Sequence, residues 1–144
     1  PATLMRLQAI DHTDLAAAWR IAEPWLARAC ARPGCDLSAP ELLDLCATGR
    51  ALLVGIFDGP DLVAAGVSQV RQHGDGSRTC WVLAVGGAGA RAWRHTLRQI
   101  EAGAAARGAR RVEFVGRPGW RRLLPDYAAA PCEAGIHFTK DLLR

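Results

Sequence analysis

The stretch from Thr79 to Arg107 constrains this chain most, because it joins a strand, a glycine turn and a helix without a break. Trp81-Val-Leu-Ala-Val85 is an apolar strand-like run, Gly86-Gly-Ala-Gly89 carries no bulky side chain, and Trp93, Leu97, Ile100 and Ala104 recur at helical spacing. None of the residues from Gly86 to Arg91 is proline, so each keeps its backbone N–H. The first amides of a helix have no partner inside it, and an anion can satisfy them. The helix dipole adds roughly half a positive charge at that end, and small side chains let a ligand come close to the main chain. Gly86, Gly87, Ala88, Gly89, Ala90 and Arg91 are therefore candidate phosphate-binding positions, with Arg91 able to add a charge-assisted bond.

Around this unit the rest of the chain reads in order. Thr3 to Leu7 predicts a first strand, and Thr13 or Asp14 an N-cap for a helix whose face carries Leu15, Trp19, Ala22 and Leu26. Pro24 predicts a kink or a division of that helix into two. Ser38-Ala-Pro-Glu41 reads as a capping box with proline in the first turn, giving a helix over about Ala39 to Thr48. Ala51 to Phe57 and Leu62 to Val70 flank the Asp58-Gly-Pro-Asp61 turn and predict a hairpin. His73-Gly-Asp-Gly76 then turns the chain into the strand Arg78 to Val85. After the long helix and Gly108, Arg111 to Val115 must lie parallel to Arg78 to Val85, because a helical crossover joins them. A short helix from Arg117-Pro-Gly-Trp120 to about Leu124 and a closing strand over Ala134 to Leu142 complete the list. The expected fold class is α/β (α+β): a mixed, mostly antiparallel sheet flanked by helices, with one parallel pair around the long helix, in a single domain of 144 residues.

Composition narrows the partners. A net charge of +4, with Lys140 the only lysine, favours anionic ligands met by arginine, although an arginine-rich coding bias gives the same count. The five cysteines form no C-x-x-C pair, and none stands at zinc-finger spacing from a histidine, so reduced structural thiols and no metal are expected. No run of about 18 apolar residues and no secretory leader are present, which predicts a cytoplasmic protein without membrane contact.

The order of elements, strand, helix, helix, three antiparallel strands, long helix, parallel strand, short helix and final strand, resembles the GNAT acetyltransferase fold over nearly the whole chain. Leu52 to Val67 is similar to that family's central hairpin. Arg110 to Trp120 and Leu123 to Tyr127 look more specifically like small GNAT-like proteins encoded by phages and prophages. The resemblance implies acetyl-CoA as cosubstrate, an amine as acceptor and an N-acetyltransferase activity; a non-catalytic binding or assembly module of phage origin is the alternative. It also implies that the main chain of Leu83, Ala84 and Val85 pairs with the pantetheine and that the amides of Gly87 to Arg91 hold the phosphates. Gly87 and Gly89 fit the family's phosphate-turn motif, whereas Ala84 stands where arginine or glutamine is usual.

Acyl transfer to an amine needs a base for the amine proton and an acid for the leaving thiolate. Tyr127 lies near the family's acid position, but Leu124 holds the position itself. Glu113 is the candidate base, one strand away from the family's usual glutamate, and competes with a plain reading as a solvated strand residue. Gly87-x-Gly89-x-x-Ala92 with Glu113 also spells a dinucleotide-binding variant, but too few residues follow Gly116 for the further parallel strands such a fold requires. Cys80 has no paired histidine in its sequence context and reads as a core thiol. Arg110, Arg111, Arg117, Arg121 and Arg122 with Trp120 offer a basic, aromatic patch, yet no nucleic-acid recognition motif accompanies it, so nucleic acid is not the expected partner. A C-terminal edge strand would allow a homodimer by strand pairing.

Overall fold

The computed structural model describes residues 5–32, 34–87 and 90–142, with side chains described for all of these but 90–96. Strand β1 (Met5–Ala9) leads through a single 3-10 turn into α1 (Leu15–Cys30) and α2 (Ala39–Ala47). The meander β2 (Leu52–Asp58), β3 (Asp61–Gln72) and β4 (Arg78–Gly87) follows, then α3 (Ala90–Ala106) and β5 (Ala109–Gly116). A short helix α4 (Trp120–Leu123) and the hairpin β6 (Ala128–Cys132) and β7 (Gly135–Asp141) end the described chain. The strands form one sheet in the order β1-β2-β3-β4-β5-β7-β6, antiparallel throughout except for β4 against β5. The mixed sheet and its parallel pair are as the sequence predicts.

Apolar alternation puts one core on each face of the sheet. On one side Leu15, Trp19, Ala22 and Leu26 of α1, with Leu42 and Cys46 of α2, pack against Leu53, Ala65 and Val67. On the other side Leu97, Ile100 and Ala104 of α3 cover Ile56, Cys80, Val82, Val112 and Phe138. The side chain of Trp93, assigned to the same helical face, lies outside the described residues. Each leucine, isoleucine or valine side chain so buried contributes about 1.5–3 kcal/mol relative to exposure.

Several elements differ from the sequence reading. Helix α1 is continuous through Pro24. The proline sits on the exposed side, where the carbonyl it leaves unbonded can reach water, while Ala22 and Leu26 on either side of it are fully buried and hold both halves on the sheet. Strand β1 is displaced toward Ala9, and Thr3 lies outside the described residues. The capping box of α2 is present: Glu41 N–H donates to Ser38 Oγ at 3.3 Å, and Ser38 N–H to Glu41 Oε1 at 3.1 Å.

The C-terminal correction concerns topology. Ala128 to Cys132 forms an additional strand, and it takes the sheet edge, with β7 inserted between β5 and β6. The closing strand is therefore interior, and the exposed edge belongs to a strand carrying Pro131, which lacks the N–H that edge pairing would need. The C-terminal edge at which a homodimer was expected is thus β6 and not the closing strand. No helix among the described residues is long and apolar enough to cross a membrane.

Candidate functional site

β4 and β5 pair only at their first residues. Arg78, Cys80 and Trp81 are in register with Ala109, Val112 and Glu113, and from Val82 onward β4 has no partner in β5. Its other edge stays on β3 as far as Gly87. A bulge marks the divergence: Val82 stands opposite Ser68 and Ala84 opposite Val67, so Leu83 is an extra residue in the ladder. Leu83 and Ala84 accordingly both pack on the α1 side, while Val82 and Val85 pack on the α3 side. A bulged strand bends and twists more strongly, which carries β4 away from its neighbour.

The wedge between the strands holds a cavity of about 220 Å³. Val82, Leu83, Ala84 and Val85 form one wall and Phe114, Val115 and Gly116 the other. Leu97 and Trp120 close it on the α3 side, and Ala29, Arg32 and Arg117 stand around it. Buried main-chain groups need partners, so the polar groups that β4 would have offered β5 beyond Trp81 face this space.

Of the positions expected from the sequence, Leu83, Ala84 and Val85 line the cavity. Gly86 and Gly87 end β4 in register with Ala65 and Ala64. Their lack of a side chain has a packing cause: a Cβ on Gly86 would lie 2.7 Å from the Trp25 carbonyl oxygen of α1, and one on Gly87, at φ +140°, would collide with Ala64. Ala88 and Gly89 lie outside the described residues, and Ala90 and Arg91 open α3 with their side chains likewise outside them.

Arg32, Phe114, Val115 and Trp120 were not anticipated at the cleft. Arg32 ends the α1 wall: Nη1 donates to the Ala134 carbonyl at 3.0 Å and Nη2 to the Val115 carbonyl at 3.2 Å. Gly34, at φ +84°, lets the following loop press on Ala134, which a Cβ would approach to 2.8 Å. Only the Trp120 signal was visible in sequence, as an aromatic residue after Pro118-Gly119 among arginines.

A second cavity of about 240 Å³ opens on the α1 and α2 side and shares Arg32, Val82, Leu83 and Val115 with the first. Its remaining lining includes Arg71, Trp81 and Asp36. Beside it, Glu113 is buried rather than solvated, a correction to the plain reading of that residue. Its Oε1 accepts a hydrogen bond from His137 Nε2 at 3.0 Å. The His137 ring stacks on Trp81 with centroids 5.4 Å apart and planes 5° from parallel, and the Arg71 guanidinium lies over the same indole at 4.7 Å.

Tyr127 is not brought to the cleft. Its hydroxyl donates to Glu101 Oε2 at 2.8 Å, inside a network where Arg98 grips Asp126 through two bonds and Lys140 bonds both Glu101 and Asp126. Burial and the Glu101 carboxylate push the Tyr127 hydroxyl far above its usual range, whereas the Arg98 bonds hold the Asp126 carboxyl well below the usual carboxylate range. The cysteines assigned to structure are free thiols, with Cys46 and Cys80 buried.

No protein-family model and no curated protein matches the chain. Solved structures do. An N-acetyltransferase from Staphylococcus aureus Mu50 superposes with a TM-score of 0.69 at 7% identity, over 99% of this chain and 100% of that one. A putative acetyltransferase from Salmonella typhimurium, solved with its cofactor acetyl-CoA, gives 0.69 at 12% identity over 99% and 96%. A polyamine N-acetyltransferase from Drosophila melanogaster gives 0.69 at 12% identity over 96% and 100%. With the parted strands, the bulge at Leu83 and a seven-stranded sheet in this order, the chain has the GNAT fold of these N-acetyltransferases.

Proposed function

We propose that the protein binds acetyl-CoA, or a related acyl-CoA, between β4 and β5 and transfers the acyl group to an amine entering from the second cavity. The observation that carries this reading is the loss of β4–β5 pairing after Trp81 and Glu113. It leaves a strand edge from Val82 to Val85 facing an apolar wedge, and an extended amide-bearing chain such as pantetheine satisfies such an edge as an added strand does. Solved neighbours of the same fold support it, one holding acetyl-CoA and another acetylating agmatine.

Bound acyl-CoA supplies the activated thioester; the chain supplies position and a path for the proton. Val82, Leu83 and Val115 line both cavities, and the two reactants are proposed to meet beside them. The amine nitrogen forms the new N–C bond as the thioester C–S bond breaks, and the proton it sheds ends on the departing sulfur. Of the two acid–base candidates, Glu113 is the one in register with Trp81, which lines the second cavity, and it is proposed to take the amine proton together with His137. The amides of Gly87 to Arg91 are proposed to hold the phosphates.

The test is thermal denaturation in acetyl-CoA. A ligand at about 100 times its Kd stabilises the native state by about 2.7 kcal/mol, enough to raise Tm by several degrees. An unchanged Tm at millimolar acetyl-CoA overturns the reading.

A further inference from the structure

The second cavity is charged in one sense. Arg32 and Arg71 face it against the single carboxylate of Asp36, while the neighbouring Glu113 is already bonded to His137. Arg32 spends both terminal nitrogens on main-chain carbonyls, so it contributes charge more than free donors. Arg71 differs. Its Nε donates to Gln69 Oε1 at 2.9 Å and its plane lies over Trp81, which fixes the guanidinium while its terminal nitrogens have no protein acceptor among the described residues. An oriented arginine with two open donors matches a carboxylate through paired bonds, and a compact ammonium gains nothing from it. A polyamine acceptor would need carboxylates to hold its second ammonium, and this lining offers one.

Resting on the acyl-transfer reading above, we infer that the acceptor is a small amine bearing a carboxylate, a free amino acid, with Arg71 reading the carboxylate. The size agrees: about 240 Å³ lies below the ~300–1,000 Å³ typical of drug-sized ligands. With its carboxylate at Arg71, such a molecule extends past Trp81 toward Val82, Leu83 and Val115, the walls that both cavities share. The amine is thereby directed at the wedge.

The test pairs the standard amino acids with their decarboxylated amines, and adds spermidine. Calorimetric titration of the N-acetylated products into the full chain without acetyl-CoA reads binding alone. At least one N-acetyl amino acid binds about tenfold or more tightly than its decarboxylated counterpart, and Arg71→Ala abolishes that preference. In turnover with acetyl-CoA, the same substitution raises KM for the amino acid by a similar factor and leaves KM for the matching amine unchanged. Arg71→Glu shifts preference toward spermidine. Arg71 is exposed, so Tm of both variants stays near that of the parent, as does its rise in acetyl-CoA. Equal or better use of spermidine by the parent, no N-acetyl amino acid bound at millimolar concentration, or undiminished carboxylate preference in Arg71→Ala overturns the inference. Loss of the acetyl-CoA response alone overturns the acyl-transfer reading instead, since the calorimetric preference does not depend on it.

Discussion

Trp81 and Glu113 are the last residues in register between β4 and β5, and both are tied to the same third residue. Glu113 accepts from His137 Nε2, and His137 stacks on Trp81, so side chains from three strands brace the point where the sheet opens. The opening is thereby fixed at one place.

The bracing predicts a separation between stability and turnover. Glu113→Gln keeps an oxygen acceptor for His137 and changes stability by less than about 1 kcal/mol, yet it lowers kcat because the amide takes no proton. Glu113→Ala leaves His137 without its partner and costs about 1–3 kcal/mol. Urea unfolding of both variants beside steady-state rates tests this, and equal kcat for Glu113→Gln and the parent would remove Glu113 from the proton path.

Gly86 predicts the cost of crowding α1. Its absent Cβ would stand 2.8 Å from the Trp25 Cβ and 2.7 Å from the Trp25 carbonyl oxygen, which belongs to helix backbone and yields only if α1 moves. Gly86→Ala therefore destabilises by about 1–3 kcal/mol, as overpacking does. Because α1 also carries Ala29 of the cavity wall and leads into Arg32, the acetyl-CoA shift in Tm shrinks in the same variant.

Much of this architecture was legible because local rules and tertiary contacts agree. The Ser38 capping box, the Asp58–Asp61 turn and the 3.6-residue spacing of Leu97, Ile100 and Ala104 each carry their own signal, and each element forms where that signal stands. Strand β6 was not legible: Ala128-Ala-Ala-Pro-Cys132 has little strand propensity and exists because β7 offers it an edge. The cleft divides the same way. Leu83 to Val85 follow from the resemblance to the GNAT fold, while Arg32 reaches Val115 and Ala134 from far along the chain, a pairing that no local pattern encodes.

Tyr127 predicts a clean discrimination between packing and catalysis. Tyr127→Phe removes one bond to Glu101, which keeps Arg98 and Lys140, at a cost of about 0.5–1.5 kcal/mol. With the hydroxyl committed there, kcat stays at the parent value, whereas loss of a general acid would lower it by about 10²–10⁴. Denaturant unfolding and initial rates measure both.

Asp126 in the same network predicts acid sensitivity. Its folded-state carboxyl titrates below the value of about 3.9 expected for an unfolded aspartate, because Arg98 bonds both oxygens. A depressed folded pKa gives stability that is fully present above the unfolded value and is lost as pH falls toward the folded one. Asp126→Asn is thus less stable than the parent at neutral pH, and the difference begins to narrow below about pH 4. Urea midpoints measured from pH 7 down to pH 3 test this; a constant difference across that range contradicts it.

The thiols predict an order of reaction. Burial pushes Cys46 and Cys80 up to about 11, and they are 7% and 4% exposed, whereas Cys132 stands on the exposed edge strand β6. At pH 8 a thiol with that pKa is roughly one part in a thousand thiolate, the form that attacks a disulfide reagent. Cys132 reacts within the fast phase, and Cys46 and Cys80 react only as the fold opens, at a rate set by unfolding rather than by reagent. Peptide mapping after brief labelling assigns the sites, and Cys132→Ser removes its share of the fast phase without changing the slow one. Labelling of Cys80 at a rate proportional to reagent would mean that α3 leaves the β4 face far more often than the packing of Leu97, Ile100 and Ala104 against it allows.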